Sequence, residues 1–267
     1  MIRKPLWISH RGYTKHAVEN TLGAFRAAVH MGFSALETDL RLTRDGRLVL
    51  IHDPDLTLLA GDRRRVQDLT AKELAAIPLR PAAKALAEGE VNGLATDGHR
   101  VMFFDDFAAE FSQCRWTLDI KPEAGEATLR ALSRWAEAEA MTDKILRDAR
   151  MLTWHPDHEA LARKLFPGLR FYARQSQCWR AGLAALCGLP GCGGIEAGKT
   201  YALTPEVFGL SLFRPEIVRR FHRRGASVIA FLPPAGIAAQ RAAEVGFDEI
   251  LTNHEIETPA GSAEPVR

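Results

Sequence analysis

The sequence predicts a parallel α/β barrel, on three observations. Its 267 residues, 46% of them hydrophobic, match the roughly 250 residues that an eight-unit barrel takes. Beyond residue 116, short apolar runs alternate with amphipathic helical patterns, the order that yields parallel strands joined by right-handed crossovers. Several apolar runs also end in charged or imidazole side chains, and parallel barrels assemble active sites at the C-terminal ends of their strands.

The elements follow in chain order. Leu6-Trp7-Ile8 is the first strand and leads into Ser9-His10-Arg11. Asn20 is placed to cap a helix running to Gly32, with Leu22, Phe25, Ala28 and Val29 on one face. Ala35-Leu36 opens a second strand that carries Glu37 and Asp39, turns at Arg44-Asp45-Gly46 and returns through Leu48–Ile51 to His52 and Asp53. Asp-Gly between alternating segments is a strong hairpin signal, and the hairpin brings His52 back towards Glu37 and Asp39. Residues 54–100 hold a basic cluster, Arg63-Arg64-Arg65, a short helical pattern over 70–77 and an Ala-, Gly- and Glu-rich tract. They read as an insertion after the third strand, either a lid over the barrel mouth or a tolerated decoration. Further strands are predicted over 116–120, 150–153, 169–172, 193–197, 208–212, 227–231 and 249–252. Helices are predicted over 124–140, 156–165, 176–187, 215–224 and 235–245. The strand count slightly exceeds eight, so one candidate belongs to the rim. Residues 1–257 thus form a single barrel domain, and 258–267 a frayed tail.

Composition narrows the function classes. Thirty-five Lys and Arg nearly balance 33 Asp and Glu, a formal charge of +2, so no basic stripe marks a nucleic-acid partner. Cys114, Cys178, Cys187 and Cys192 have neither zinc-ligand spacing nor the density of a disulfide scaffold, and read as reduced thiols. No signal-peptide core precedes His10, and no stretch is long and apolar enough for a membrane span. The expectation is a cytoplasmic protein without stable membrane insertion. Nothing indicates an oligomeric state.

The chemistry concentrates in residues 8–53. Glu37 and Asp39 project to one face of their strand, about 7 Å apart at ~3.3 Å rise per residue, so both carboxylates can share one cation. Oxygen-only donors suit Mg²⁺ or Ca²⁺, with Mn²⁺ also admitted, rather than zinc. Alone, such a pair is equally a solvated strand face. Asp119 and Lys121 repeat the design at the end of Thr117-Leu118, where Asp119 can supply a third oxygen and Lys121 can meet an anionic substrate group; a surface ion pair is the alternative. His10 and His52 both terminate apolar strands, and two imidazoles facing one cleft supply the base and acid that phosphodiester cleavage requires. Arg11 offers a planar fork for two phosphate oxygens, or an ordinary salt bridge. Trp154, Glu196 and Lys199 are weaker candidates, read as a loop anchor and as charged strand-end residues.

These residues resemble a known family. His10-Arg11-Gly12, Glu19-Asn20-Thr21, Ala24-Phe25, Gly32, Glu37-x-Asp39, Thr43-x-Asp45-Gly46 and His52-Asp53 are similar, in order and spacing, to the N-terminal signature of glycerophosphodiester phosphodiesterases. Asp119-x-Lys121 and the segment from Gly246 to Asn253 resemble later strands of that family. The resemblance implies a TIM (β/α)8 barrel that hydrolyses a glycerophosphodiester to glycerol 3-phosphate and an alcohol. It implies a divalent cation on Glu37, Asp39 and Asp119, an acid/base pair in His10 and His52 of undecided order, and phosphate contacts from Arg11 and Lys121. Three departures stand out. Asp119 occupies a position where relatives often carry Glu, Leu58–Arg63 replaces an Arg-Thr-Thr stretch, and Ala230–Pro233 replaces Trp-Thr-Val-Asn, with Phe231 as a substitute wall. They fall on parts that shape the substrate, so the alcohol is open. Alternatives are a lysophospholipase D or sphingomyelinase D-like enzyme, a sugar phosphodiesterase, or a silent barrel that binds phosphodiesters.

Overall fold

A computed structural model describes residues 4–15, 17–80 and 99–256. Eight parallel strands form the barrel wall: β1 (Leu6–His10), β2 (Ala35–Leu42), β3 (Arg115–Ile120), β4 (Ala149–Thr153), β5 (Arg170–Phe171), β6 (Thr200–Leu203), β7 (Ser227–Phe231) and β8 (Glu249–Thr252). Their order is β6-β7-β8-β1-β2-β3-β4-β5, and a parallel bridge between Tyr172 and Thr200 joins the last strand to the first, nearly closing the ring. Helices wrap the outside: α1 (Leu22–His30), α2 (Phe104–Glu110), α3 (Gly125–Ala138), α4 (Thr142–Asp148), α5 (Pro156–Leu165), α6 (Gln175–Leu186), α7 (Pro215–His222) and α8 (Gly236–Val245). The barrel is the predicted one.

Alternation along the strands sorts the side chains. Trp116, Leu118 and Ile120 of β3 point outward into a buried layer with Phe25 of α1 and Phe104 and Phe107 of α2, where Phe25 and Phe107 meet edge to face at 4.9 Å. The intervening Thr117 and Asp119 point into the barrel. Ile8, Ala35, Tyr172, Ile229 and Leu251 pack in that interior. Below them Glu249 accepts from the Tyr172 hydroxyl at 2.8 Å and pairs with Arg150 at 2.6 Å, so the floor is polar yet satisfied.

Several elements differ from expectation. The segment 193–197 is not a strand: Gly194 and Gly198 take left-handed conformations at φ 62° and 80° that interrupt extended backbone, and the strand forms at Thr200–Leu203 instead. Residues 208–212 contribute only to a small antiparallel pair, Glu206–Val207 with Leu210–Ser211, outside the ring, the surplus rim strand. Helix α1 is capped by Thr21, whose hydroxyl accepts from the Ala24 amide at 3.4 Å, and not by Asn20. Leu22 and Val29 are exposed, leaving Ala24, Phe25 and Ala28 as its buried face. Helices α2 and α4 lie in segments where no element was expected.

The hairpin is as predicted: Leu40, Arg41 and Leu42 pair antiparallel with Leu50, Val49 and Leu48 around Gly46. Its return strand lies outside the eight-membered ring, so the insertion that follows falls between β2 and β3. Residues 54–80 are not irregular. They form a short pair, Asp55–Leu56 with Asp62–Arg65, and a turn of helix at Ala71–Ala75 capped reciprocally by Thr70 and Glu73. Leu56, Leu59, Val66, Leu69 and Leu74 bury a satellite core against Val49 and Ile51. The rest of the expected lid, 81–98, and the tail 258–267 lie outside the described residues.

Candidate active site

Strand register explains why residues distant in sequence meet at one end of the barrel. His10 is paired with Glu37 across β1 and β2, and Asp39 with Asp119 across β2 and β3. Neighbouring strands are about 4.8 Å apart. Ligand atoms of Glu37, Asp39 and Asp119 accordingly lie within 4.8 Å of one another, and all three residues are buried. They form the sole such acidic or His/Cys group among the described residues.

Two cations border this trio. Lys121 donates to Asp39 Oδ1 and Asp119 Oδ2, each at 2.7 Å. The Arg11 guanidinium bonds both carboxylate oxygens of Glu19, at 3.1 and 3.2 Å. Its Nε lies 3.1 Å from Asp39 Oδ2, outside hydrogen-bond geometry. Arg11 sits at φ 57° with Gly12 following at φ 84°, a tight turn that also aims its backbone amide at Glu37 Oε2, 3.1 Å away. A Cβ on Gly12 would stand 2.6 Å from the Ala24 carbonyl carbon, so the turn packs directly on α1 and no other residue fits. Arg11 and Lys121 are thus at the site as expected, but each is engaged with carboxylates.

The charges are unevenly settled. Burial pushes the Glu37 carboxyl well above the usual carboxylate range, and the charge of Asp39 adds to the shift. Burial raises Asp119 as well, against the pull of Lys121. Burial would raise Asp39 too, but Lys121 and Arg11 outweigh it and hold that carboxyl at about 2. Three buried carboxylates therefore share two nearby cationic side chains, one of them already committed to Glu19. The donor set fits a hard divalent cation, which would relieve the cost of ionising Glu37 and Asp119.

Both histidines flank the trio. His10 Nδ1 lies 2.9 Å from the Asn253 amide oxygen, which requires a proton on Nδ1 and leaves the Nε2 lone pair free. Nε2 points to the carboxylates, 4.0 Å from Glu37 Oε2. Burial and then Arg11 lower the ring to about 4. His52 follows the return strand, with its Nδ1 2.8 Å from the Asp53 carboxylate. Buried Arg41 fixes the backbone there, donating from Nη2 to the His52 carbonyl at 2.6 Å and from Nη1 to Glu123 at 2.8 Å.

Four supporting residues have partners at the site that their sequence did not indicate. Asn20 donates to Asp39 at 2.8 Å and accepts from Thr38 at 2.8 Å, the signal being its place in the Glu19-Asn20-Thr21 motif. Asn253 closes the Gly246–Asn253 segment of the resemblance, whereas Arg41 gave no signal beyond adjacency to a site strand. Trp154, expected as a loop anchor, instead donates its indole N–H to Asp119 Oδ1 at 2.8 Å and lies over the Lys121 ammonium, 5.6 Å from ring centre to Nζ. Glu196 and Lys199 are elsewhere: Lys199 precedes β6 and pairs with Glu159 and Glu196 at 3.3 and 3.2 Å.

Comparison with known proteins follows the same line. Residues 10–256 match the model of the glycerophosphoryl diester phosphodiesterase family. A glycerophosphodiester phosphodiesterase of Caldanaerobacter subterraneus is 41% identical over 71 residues, 27% of this chain and 29% of that protein. A human lysophospholipase D is 40% identical over 67 residues, 25% of this chain and 21% of that protein. The chain therefore aligns with under a third of the length of these curated relatives. Among solved structures, the glycerophosphoryl diester phosphodiesterase domain of a Mycobacterium tuberculosis protein superimposes with TM-score 0.73 at 18% identity, over 95% of this chain and 97% of that one. An Oleispira antarctica phosphodiesterase in complex with the product sn-glycerol-3-phosphate gives TM-score 0.71 at 19% identity, over 95% of each chain. These last two likenesses show the shared barrel.

Proposed function

Because the chain belongs to the glycerophosphoryl diester phosphodiesterase family, we propose that it hydrolyses a glycerophosphodiester to glycerol 3-phosphate and an alcohol. One observation carries this: a buried trio of carboxylates, Glu37, Asp39 and Asp119, lies at the same barrel mouth as two imidazoles. Such a trio would hold Mg²⁺, Ca²⁺ or Mn²⁺, and a cation there supplies Lewis-acid stabilisation of charge on the phosphoryl oxygens.

The chain's own residues take the remaining roles. Asn253 holds the Nδ1 proton of His10, so Nε2 receives the proton of the attacking hydroxyl, either of water directly or of the neighbouring glycerol hydroxyl. In the latter case the cyclic phosphate formed is then opened by water to give glycerol 3-phosphate. His52, anchored through Nδ1 by Asp53, delivers a proton from Nε2 to the departing alkoxide, which would otherwise leave as a strong base. Arg11 and Lys121 oppose the phosphate charge. The four free thiols suit a reducing compartment, and we place the reaction in the cytoplasm. Product analysis by phosphorus NMR tests the reading: glycerol 3-phosphate is expected from a soluble glycerophosphodiester, and no phosphomonoester from any diester supplied would refute it.

Trp154 positions Asp119. A shorter acid than Glu has less reach, and the indole N–H fixes the one oxygen that Lys121 leaves free. Trp154→Phe keeps the ring and removes the donor. Its expected effect is a roughly 10–100-fold loss in divalent-cation affinity, the usual scale for an outer hydrogen-bond partner, read by calorimetry with Mn²⁺. An unchanged affinity would reduce Trp154 to a wall of the cleft.

A lysophospholipase D activity is the second reading, favoured by exposed aromatic surface at the mouth, Trp154 at 43% and Phe231 at 38% exposure. Lysophosphatidic acid released from a lysophospholipid would mark it.

A further inference from the structure

The exposed apolar side chains are segregated on this molecule. Scattered exposed hydrophobics need no explanation, but these are not scattered. Among the described residues, every exposed large apolar side chain except Val29 and Leu189 lies at the C-terminal end of a barrel strand, in the loop or first turns of helix that follows one, or, for Leu58, in the insertion packed on the hairpin. That is the end of the barrel where the carboxylates and histidines sit. The most prominent are Phe208, 85% exposed on the hairpin after β6, Ile237, 77% exposed in the first turn of α8, and Leu58, 69% exposed in the insertion. Phe208 forms the hairpin tip in a left-handed conformation, φ 51°, beside Gly209 at φ 73°. Such a backbone is costly for an aromatic residue, and it presents the ring to solvent.

Cations accompany them. Arg63 and Arg65, on the strand paired with Asp55–Leu56 and close in sequence to Leu58, are exposed and form no ion pair with a described residue. Apolar tips together with exposed guanidinium groups complement a phospholipid surface, whose phosphates meet arginine and whose acyl region takes aromatic and aliphatic side chains. No helix among the described residues is long and apolar enough to cross a membrane, so contact would be peripheral.

We infer that the rim of the barrel mouth docks on a phospholipid surface, presenting the site to diesters held at the lipid–water boundary. The choice of substrate source rests on the phosphodiesterase reading, whereas the docking itself does not. The lipid could carry the diester within the surface or merely lie near a dissolved one, and the two are separable by assay.

The test floats the full chain with phosphatidylcholine vesicles, with and without phosphatidylglycerol, beside Phe208→Asp/Ile237→Asp and Arg63→Ala/Arg65→Ala. Aspartate tolerates the left-handed conformation at position 208. The unaltered chain is expected to co-float, more strongly with the anionic lipid. The apolar pair of substitutions should lower partitioning at least roughly 10-fold, the scale of withdrawing two large side chains from an apolar phase, and the arginine pair should abolish the gain from phosphatidylglycerol. Turnover of a soluble diester should be unchanged in the apolar pair, while turnover of lysophosphatidylcholine presented in vesicles falls with the partitioning. Absence of flotation, equal flotation of all three proteins, or a dimer that the apolar substitutions dissolve without any vesicle binding would each overturn the inference. Flotation with the expected variant losses but no hydrolysis of any diester would uphold docking and refute the phosphodiesterase reading.

Discussion

His52→Ala is expected to lower turnover of an alkyl glycerophosphodiester by roughly 10²–10⁴-fold, the usual contribution of a positioned acid or base, and to recover much of that loss on a nitrophenyl diester. A nitrophenolate leaves without a proton, so the acid is dispensable for that substrate. His10→Ala should lose a similar factor on both substrates, because the attacking hydroxyl must be deprotonated whatever leaves. The assignment follows from the partners of the two rings. A neutral amide oxygen on His10 Nδ1 leaves a lone pair facing the carboxylates, whereas a carboxylate on His52 Nδ1 steadies a ring that gives up its outer proton. Rescue of His10→Ala but not of His52→Ala by the activated leaving group would reverse the roles.

Glu37→Gln should separate stability from function. Burial and the charge of Asp39 make ionised Glu37 unfavourable in the metal-free fold, and Gln keeps an oxygen to accept from the Arg11 amide. Removing the charge is expected to raise the melting temperature of the chelated protein at neutral pH, by roughly 2–4 °C for each kcal/mol relieved in a chain of this size. The sign follows from linkage. A carboxyl raised on folding favours the folded state when protonated and opposes it once pH exceeds the folded value, so the gain should shrink as pH falls towards the ordinary carboxylate range. Divalent-cation affinity should fall by more than the roughly 100-fold upper scale for an outer partner, and turnover with it. Such a gain with such a loss is the trade expected at a strained functional site. A lower melting temperature in the chelated variant would show that Glu37 is a structural acceptor first.

The grouping of polar residues at the candidate site was legible because they interrupt strong local patterns. Glu37, Asp39, Asp119 and Lys121 stand at i and i+2 on apolar strands, and His10 and His52 end apolar runs, so period-two alternation aims each i, i+2 pair into the barrel without knowledge of the fold. The supporting groups lack that signature. Asn253 meets His10 across 243 positions of sequence and Trp154 meets Asp119 across 35, through closure and strand register that no local pattern encodes. Strand β6 was hard to read for another reason. At four residues it carries too few alternations to outweigh neighbouring segments, and the glycine-rich stretch before it mimics a buried apolar strand. The satellite core of residues 54–80 is likewise held by contacts with Val49 and Ile51 rather than by its own periodicity.

Metal-dependent hydrolysis at the carboxylate–histidine mouth is the reaction proposed for this chain. Its most direct measurement is release of glycerol 3-phosphate from soluble glycerophosphodiesters by the chelated protein before and after restoration of Mg²⁺, Ca²⁺ or Mn²⁺. Release that chelation abolishes and at least one of these cations restores is the expected result. Absence of product with every diester and every cation, from a protein that remains folded, would contradict it.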